Sequence, residues 1–194
     1  MLSDPAIVLL MYFVLPVWLA AGFADYLCHR ATSIETTTGA KESVIHLLLF
    51  AEMAVPLLAV VFLEVNALVI ALMLVAFLLH EATALWDVSY AVTAREVTPI
   101  EQHVHSFLEM MPLMAALLVI SRHFGQFLAL FGLGSETARF DITLKQEQVP
   151  ATYVIGVLAA ALLFEILPYI EEFVRGWRAN HGALVPEKAR RAAE

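Results

Sequence analysis

Cysteine and charge are the two features that this sequence has least of. Cys28 is the only cysteine in 194 residues, so the chain can form no internal disulfide and no thiolate-based zinc or iron–sulfur site. Charged residues make up 15% of the chain and the net charge is −8. No basic stripe is present, which argues against nucleic acid as a partner. With 61% hydrophobic residues, the composition excludes an ordinary soluble domain and indicates an integral membrane protein.

The chain contains long apolar runs with few charged residues. Five of them approach the length of about 20 residues that a membrane-spanning helix needs, at residues 5–27, 42–63, 67–90, 99–120 and 149–174. They are continuous rather than alternating, which favours helices over strands. The first run has no basic residues before it and is too long for a cleavable signal. The sequence therefore predicts an all-α integral membrane helical bundle with five transmembrane helices.

The remaining segments set the expected domain organisation and orientation. We expect residues 1–175 to form one transmembrane domain and residues 176–194 a polar cytoplasmic tail. The apolar stretch FGQFLALFGLG in the connection 121–148 is too short to span the membrane. Three of the eleven Lys and Arg residues fall on the N-terminal side of the predicted membrane and eight on the other. This bias predicts an N-terminus outside and a C-terminus in the cytoplasm.

Histidines and carboxylates gather at one end of four predicted helices. Asp25 and His29 close the first, Glu42 and His46 open the second, His80, Glu81 and Asp87 close the third, and Glu101, His105 and Glu109 open the fourth. An up-and-down topology brings all these ends to the cytoplasmic side. Ionisable groups inside membrane segments are costly, so they are candidates for function.

The spacing of these residues predicts a metal site. Asp25 and His29, Glu42 and His46, and Glu101 and His105 are each four residues apart, so each pair shares a helix face. Four helices are thus expected to form an antiparallel metal-binding bundle. Imidazoles and carboxylates without thiolate suit iron, manganese or zinc, and they outnumber the ligands of one tetrahedral zinc. We therefore expect two metal ions, iron by preference and zinc as the alternative.

The predicted ligands are Asp25, His29, Glu42, His46, His80, Asp87, Glu101, His105 and Glu109. Among them Glu109 is the expected bridging and catalytic carboxylate. Two further residues stand outside this set: Arg95 is expected to be solvated in a short loop, and Glu165 either orients an imidazole or is an interfacial charge. The fifth helix is expected to cover the bundle or to form a contact between copies in a homo-oligomer.

This constellation, over residues 25–109, resembles the ferritin-like di-iron carboxylate four-helix proteins, which place Glu-x-x-His on two helices and Glu on the other two. The spacing here is Glu-x-x-x-His, in Glu42 with His46 and in Glu101 with His105. The chain is also distantly similar to membrane fatty-acid hydroxylases and desaturases, although it has no His-x-x-His-His box. The resemblance implies a di-metal class of protein.

Several functions remain open at this stage. The leading expectation is a membrane-embedded di-iron oxidoreductase that hydroxylates or desaturates a lipid or another hydrophobic substrate from the surrounding membrane. One alternative is a zinc-dependent intramembrane hydrolase of a lipid amide or ester, which needs one ion and a bound water. Further alternatives are a metal or proton carrier, a haem protein, and a bundle in which the same groups only hydrogen-bond between helices.

Overall fold

The computed structural model describes residues 4–187 of the chain. Within this part the chain is helical, and no strand forms beyond a single bridge between Leu63 and Leu144. The five long helices are α1 (Pro5–Ala31), α2 (Ala40–Phe62), α3 (Ala67–Ala91), α4 (Pro99–Arg122) and α5 (Ala151–Ala179). All five are long and apolar enough to cross a membrane. The structure thus has the five long apolar helices that the sequence predicts, and these helices suggest an integral membrane protein.

The observed ends depart little from those expected. Helix α5 continues to Ala179, so the first residues of the predicted tail still belong to the helix, and residues 188–194 lie outside the described part of the chain. The apolar stretch FGQFLALFGLG, which is too short to span a membrane, contains a short helix, Phe124–Leu130. A second short helix, Ile34–Thr37, connects α1 to α2.

Capping side chains stabilise the N-terminal ends of three of the long helices. The carboxylate of Asp4 accepts hydrogen bonds from the first backbone amides of α1, and the side chain of Asn66 does the same for α3. Helix α4 begins with a capping box, in which Thr98 and Glu101 each accept a hydrogen bond from the other's backbone amide. These bonds satisfy amides that have no partner inside the helix.

The helices pack in pairs. Helix α2 lies against α3, α1 lies against α4, and the C-terminal half of α5 packs against α2 and α1. Buried apolar side chains from the end of α2, the start of α3 and the end of α4 form a common core. Large apolar residues such as Leu78, Leu85 and Ile155 stay 65–70% exposed, as expected of side chains that face lipid.

Helix α5 divides into two unlike halves at a π-helical turn, Leu162–Ile166. None of the residues Ala151–Ala161 is buried. In the second half, Gly176 lies so close to α2 that a Cβ atom there would be 2.8 Å from the backbone nitrogen of Ala40. The absence of a side chain at Gly176 thus lets α5 approach the start of α2, where two of the predicted ligands lie.

Candidate metal centre

Eight ionisable side chains meet at one end of the long helices, opposite the apolar core. We call them the acid–histidine cluster: Asp25, His29, Glu42, His46, Asp87, Glu101, His105 and Glu172. His29, Glu42 and Glu101 are fully buried, and only His105 is more than 5% exposed. Every long helix contributes at least one member. Burial of so many ionisable groups is unfavourable unless they are paired or bind cations.

The first group of potential ligands combines α1 with α4. Ligand atoms of Asp25, His29, Glu101 and His105 lie within 4.8 Å of one another. His29 Nε2 is 3.4 Å from a carboxylate oxygen of Asp25 and 3.4 Å from one of Glu101, and His105 Nε2 is 2.9 Å from the other Asp25 oxygen. Donor atoms at about 2.1 Å from a shared ion lie about 3.0–3.4 Å apart. The spacing of this group suits one metal ion.

The second group centres on α2. His29, Glu42 and His46 also have ligand atoms within 4.8 Å of one another, and His46 Nε2 is 3.3 Å from a carboxylate oxygen of Asp87. The imidazole rings of His29 and His46 stack, with centroids 4.4 Å apart and planes inclined by 11°. The two groups are therefore adjacent, and His29 belongs to both.

Glu172 of α5 holds the two stacked imidazoles. One carboxylate oxygen is 3.1 Å from His29 Nδ1 and the other is 3.1 Å from His46 Nδ1. An ionised carboxylate only accepts hydrogen bonds, so each Nδ1 must carry the proton. In neutral imidazoles this leaves each Nε2 with an electron pair that could bind a metal ion, although His46 Nε2 also lies 3.3 Å from a carboxylate oxygen of Asp87. His29 Nε2 has no hydrogen-bond partner among residues 4–187.

A tyrosine of α5 steadies the carboxylate between the histidines. The hydroxyl of Tyr169 lies 3.2 Å from a carboxylate oxygen of Asp25 and 3.0 Å from the carbonyl oxygen of Gly22, and it can donate to either. One Asp25 oxygen thus contacts both the Tyr169 hydroxyl and His29, and the other oxygen contacts His105. The fifth helix, to which the sequence assigned no ligand, completes the surroundings of the site.

Arg95 corrects an expectation from the sequence. Its side chain is not solvated but only 3% exposed, and its guanidinium lies 2.5 Å from carboxylate oxygens of Glu42 and Glu101. Although burial by itself lowers the pKa of Arg95, hydrogen bonds to Glu101 and Glu42 raise it above its usual value. The loop before α4 thus inserts a permanent positive charge into the acid–histidine cluster. The loop folds inward because Arg95 can neutralise two buried carboxylates there.

Two predicted ligands lie apart from both groups. His80 is buried, with its Nδ1 3.9 Å from a carboxylate oxygen of Glu52, which in turn accepts a hydrogen bond from Thr83. Glu109, the expected bridge, is half-buried and interacts electrostatically with Glu81. Both His80 and Glu109 line a cavity next to the cluster and do not join either group of close ligand atoms.

That cavity extends from the cluster into the apolar part of the bundle. The near chamber, of about 300 Å³, is bounded at one end by Asp25, His46, Asp87 and His105 and elsewhere mostly by apolar side chains. The far chamber, of about 180 Å³, continues away from the cluster. The two chambers share Leu15, Trp18, Met53 and Leu57 as lining residues. These shared side chains make the two chambers neighbours, and we call the pair the passage; its near chamber reaches the acid–histidine cluster.

Glu172 and Tyr169 are the site residues that the sequence interpretation missed. A signal for them exists, since Glu165, Tyr169 and Glu172 are spaced by four and three residues and so share a face of α5. Glu165 is buried against Gly22, and the carboxylate that orients the imidazoles is Glu172.

No family model, no curated protein and no solved structure matches this chain, so its function is inferred from the chemistry of this site.

Proposed function

We propose that this protein is a membrane-embedded oxidoreductase whose two metal ions, iron by preference, act on a lipid or another hydrophobic substrate. In this proposal α1–α4 form an antiparallel bundle around the ions, and the C-terminal half of α5 closes it. The observation that carries the proposal is the apolar passage that ends on buried carboxylates and imidazoles. Such a passage brings hydrocarbon, rather than water-soluble substrates, to the ligands.

The two ions are assigned to the two adjacent groups. The first is held by Asp25, His29 Nε2, Glu101 and His105, whose donor atoms have the spacing of a shared ion. The second lies at His46 Nε2, beside Asp87 and near Glu42. The two groups meet at the stacked rings of His29 and His46, whose centroids are 4.4 Å apart, so the two ions would be neighbours.

The charge of the cluster supports two divalent cations. Its five carboxylates, those of Asp25, Glu42, Asp87, Glu101 and Glu172, are 0–3% exposed. If the imidazoles are neutral, the five carboxylates need five positive charges. Arg95 supplies one of these charges and two divalent ions supply the other four. One divalent ion would leave an excess of negative charge in a region from which water is largely excluded, which is costly.

The ligand types favour iron and oxidation chemistry. Oxygen and nitrogen donors with several carboxylates and no sulfur suit iron or manganese. Bound iron would supply the activation of dioxygen. In hydroxylation one oxygen atom enters a C–H bond and the other leaves as water, with two electrons and two protons from an external reductant. In desaturation, two substrate hydrogens and the same electrons and protons reduce dioxygen to two waters.

A zinc-dependent hydrolase is the second candidate. One observation favours it: the first group by itself supplies the donors that a single zinc requires. A carrier is less well supported, because a transport path needs polar groups along its length, whereas the far chamber is lined by apolar side chains apart from Tyr153 and the Trp18 indole. The Tyr153 hydroxyl is already bonded to the Met11 carbonyl oxygen, 2.6 Å away.

Metal content per chain on the purified protein, with an optical spectrum of the same sample, tests the proposal. We expect about two irons in the wild type and a loss of metal in His105→Ala. His103→Ala is the matched control, because His103 is exposed on another face of the same helix. One zinc and no visible band would favour the hydrolase. Absence of metal from the wild type after anaerobic reconstitution would overturn both metal-dependent functions.

A further inference from the structure

The passage is long enough to hold a complete lipid chain. Along α1 its lining residues run from Ile7, in the far chamber, to Asp25 beside the near chamber. Eighteen residues of helix correspond to about 27 Å, whereas one lipid leaflet contributes about 15 Å of hydrocarbon, half the thickness of the bilayer core. The volumes of about 300 and 180 Å³ together fall within the range of known ligand sites, roughly 300–1,000 Å³.

The two ends of the passage differ in what they can bind. The far chamber has apolar walls and can accommodate only hydrocarbon. The near chamber has, in addition to the cluster, the polar side chains of His80, Glu109, Glu165 and Tyr169. A lipid with a polar end therefore lies with that end in the near chamber and its chain in the far chamber.

Glu165 is a polar group without a protein partner at the point where a lipid head would lie. It is 6% exposed, and its Oε1 has no hydrogen-bond partner among residues 4–187. Its carboxyl group occupies the space above Gly22, where a Cβ atom would collide with it. A buried acceptor without a donor costs about 1–3 kcal/mol, and a bound molecule that supplies a donor would remove that cost.

We propose that Glu165 is a specificity-determining residue that accepts a hydrogen bond from the polar end of a single-chain lipid. The substrate class is a long-chain molecule with a hydroxyl, amide or amine donor at one end. Gly22 lies one helical turn from Asp25, so the carbons next to this donor face the acid–histidine cluster. This inference rests on the proposed function and places the chemistry near the polar end of the chain, not at its methyl end.

Fluorescence of Trp18, which lines both chambers, reports binding directly. In a Trp86→Phe, Trp177→Phe background Trp18 is the only tryptophan, since the chain has three. The probes are a long-chain primary alcohol brominated at mid-chain and its methyl ether, which has no donor. A Trp86-only protein, made with Trp18→Phe and Trp177→Phe, measures quenching from the bilayer, because Trp86 is 48% exposed.

We expect the alcohol to quench Trp18 at a concentration about tenfold lower than the ether, as one hydrogen bond in a buried site predicts. Glu165→Met should abolish this preference while the ether still binds, and Glu165→Gln, which keeps a carbonyl acceptor, should retain part of it. Gly22→Ala, which displaces the carboxyl group, should act like Glu165→Met. Glu171→Gln is the matched control, because Glu171 is half-exposed and pairs with Arg30.

Equal quenching by alcohol and ether in the wild type, or a preference that survives Glu165→Met, would overturn the role of Glu165. Quenching of Trp86 without quenching of Trp18 would overturn the passage as a lipid site. The assay needs no turnover, so its failure is distinct from failure of the proposed function: two irons with no alcohol preference would reject only the inference drawn here. A preserved preference in protein that takes up no metal on reconstitution would reject only the oxidoreductase.

Discussion

His29 and His46 stack with their ring centroids 4.4 Å apart, although they come from different helices and are separated by a loop. Both rings are held by the carboxylate of Glu172, whose two oxygens lie 3.1 Å from the two Nδ1 atoms. The stacking and the shared partner Glu172 both depend on α5, which approaches α2 at Gly176. The arrangement of the candidate metal centre thus depends on a helix that supplies no proposed direct ligand.

Glu172→Gln should weaken metal binding without abolishing it. The carbonyl oxygen of a glutamine can accept a hydrogen bond from one Nδ1–H, but its NH₂ group then faces the other Nδ1–H, so one imidazole loses its orientation. Loss of such a partner typically lowers metal affinity 10–100-fold. Competition with a chelator of known affinity measures the effect. Glu171→Gln, one residue away and outside the cluster, should leave the affinity unchanged, and equal affinities for all three proteins would contradict the role of Glu172.

Arg95→Ala should destabilise the protein strongly, because it leaves Glu42 and Glu101 buried without their cation. Removing one partner of a buried ion pair costs about 3–5 kcal/mol. Thermal unfolding in detergent at fixed metal occupancy measures the change. Arg30→Ala is the control, since Arg30 and Glu171 are 51% and 43% exposed and such a pair contributes about 0–1 kcal/mol.

A second variant separates the charge of Arg95 from its packing. Combining Arg95→Met with Glu42→Gln and Glu101→Gln removes the buried charges together and should recover much of the lost stability. Because Glu42 and Glu101 belong to the proposed metal centre, all variants are compared in the metal-free state. If the triple variant is no more stable than Arg95→Ala, the contribution of Arg95 is packing and the electrostatic explanation is wrong.

Gly176→Ala should destabilise the contact between α5 and α2. The added Cβ would lie 2.8 Å from the backbone nitrogen of Ala40, so the helices must separate, at a cost of about 1–3 kcal/mol. Because Glu172 then moves away from His46, metal affinity should fall as well. Gly156→Ala is the matched control on the same helix, since no atom lies within 4 Å of its Cβ position. Equal melting temperatures for the two variants would show that the close approach is unimportant.

Leu57→Phe should narrow the passage without affecting metal loading. Leu57 lines both chambers, and a larger side chain there obstructs the route between them. We expect weaker quenching of Trp18 by the long-chain probes and an unchanged metal content. Leu78→Phe, at an outward position that is 66% exposed, should change neither. A loss of metal in Leu57→Phe would instead mean that the substitution disturbs the bundle as a whole.

The spacing of Glu101, His105 and Glu109 by four residues predicts that Glu109 belongs to the site. The geometry of the helix explains why it does not join the other ligands. A helix turns about 100° and rises 1.5 Å per residue, so Glu109 is rotated by about 80° from Glu101 and lies about 12 Å farther along α4. The spacing of four residues that aligns Glu101 with His105 thus drifts off the face on its second repetition. On α3 the axial rise is the cause instead: His80 and Asp87 are seven residues apart and share a face to within about 20°, but they lie about 10 Å apart along the helix.

The sequence by itself determined the five spanning helices and the end at which the ionisable groups gather. The length of an apolar run and the side chains that cap a helix are local properties of the sequence. The helices α1–α5 and pairs on one helix face, such as Asp25 with His29, could therefore be predicted from the sequence directly. Tertiary structure decided which groups meet. Arg95 in a loop and Glu172 near a helix end have the sequence context of solvated charges, and only the packing of the loop and of α5 against the buried carboxylates and imidazoles makes them part of the site.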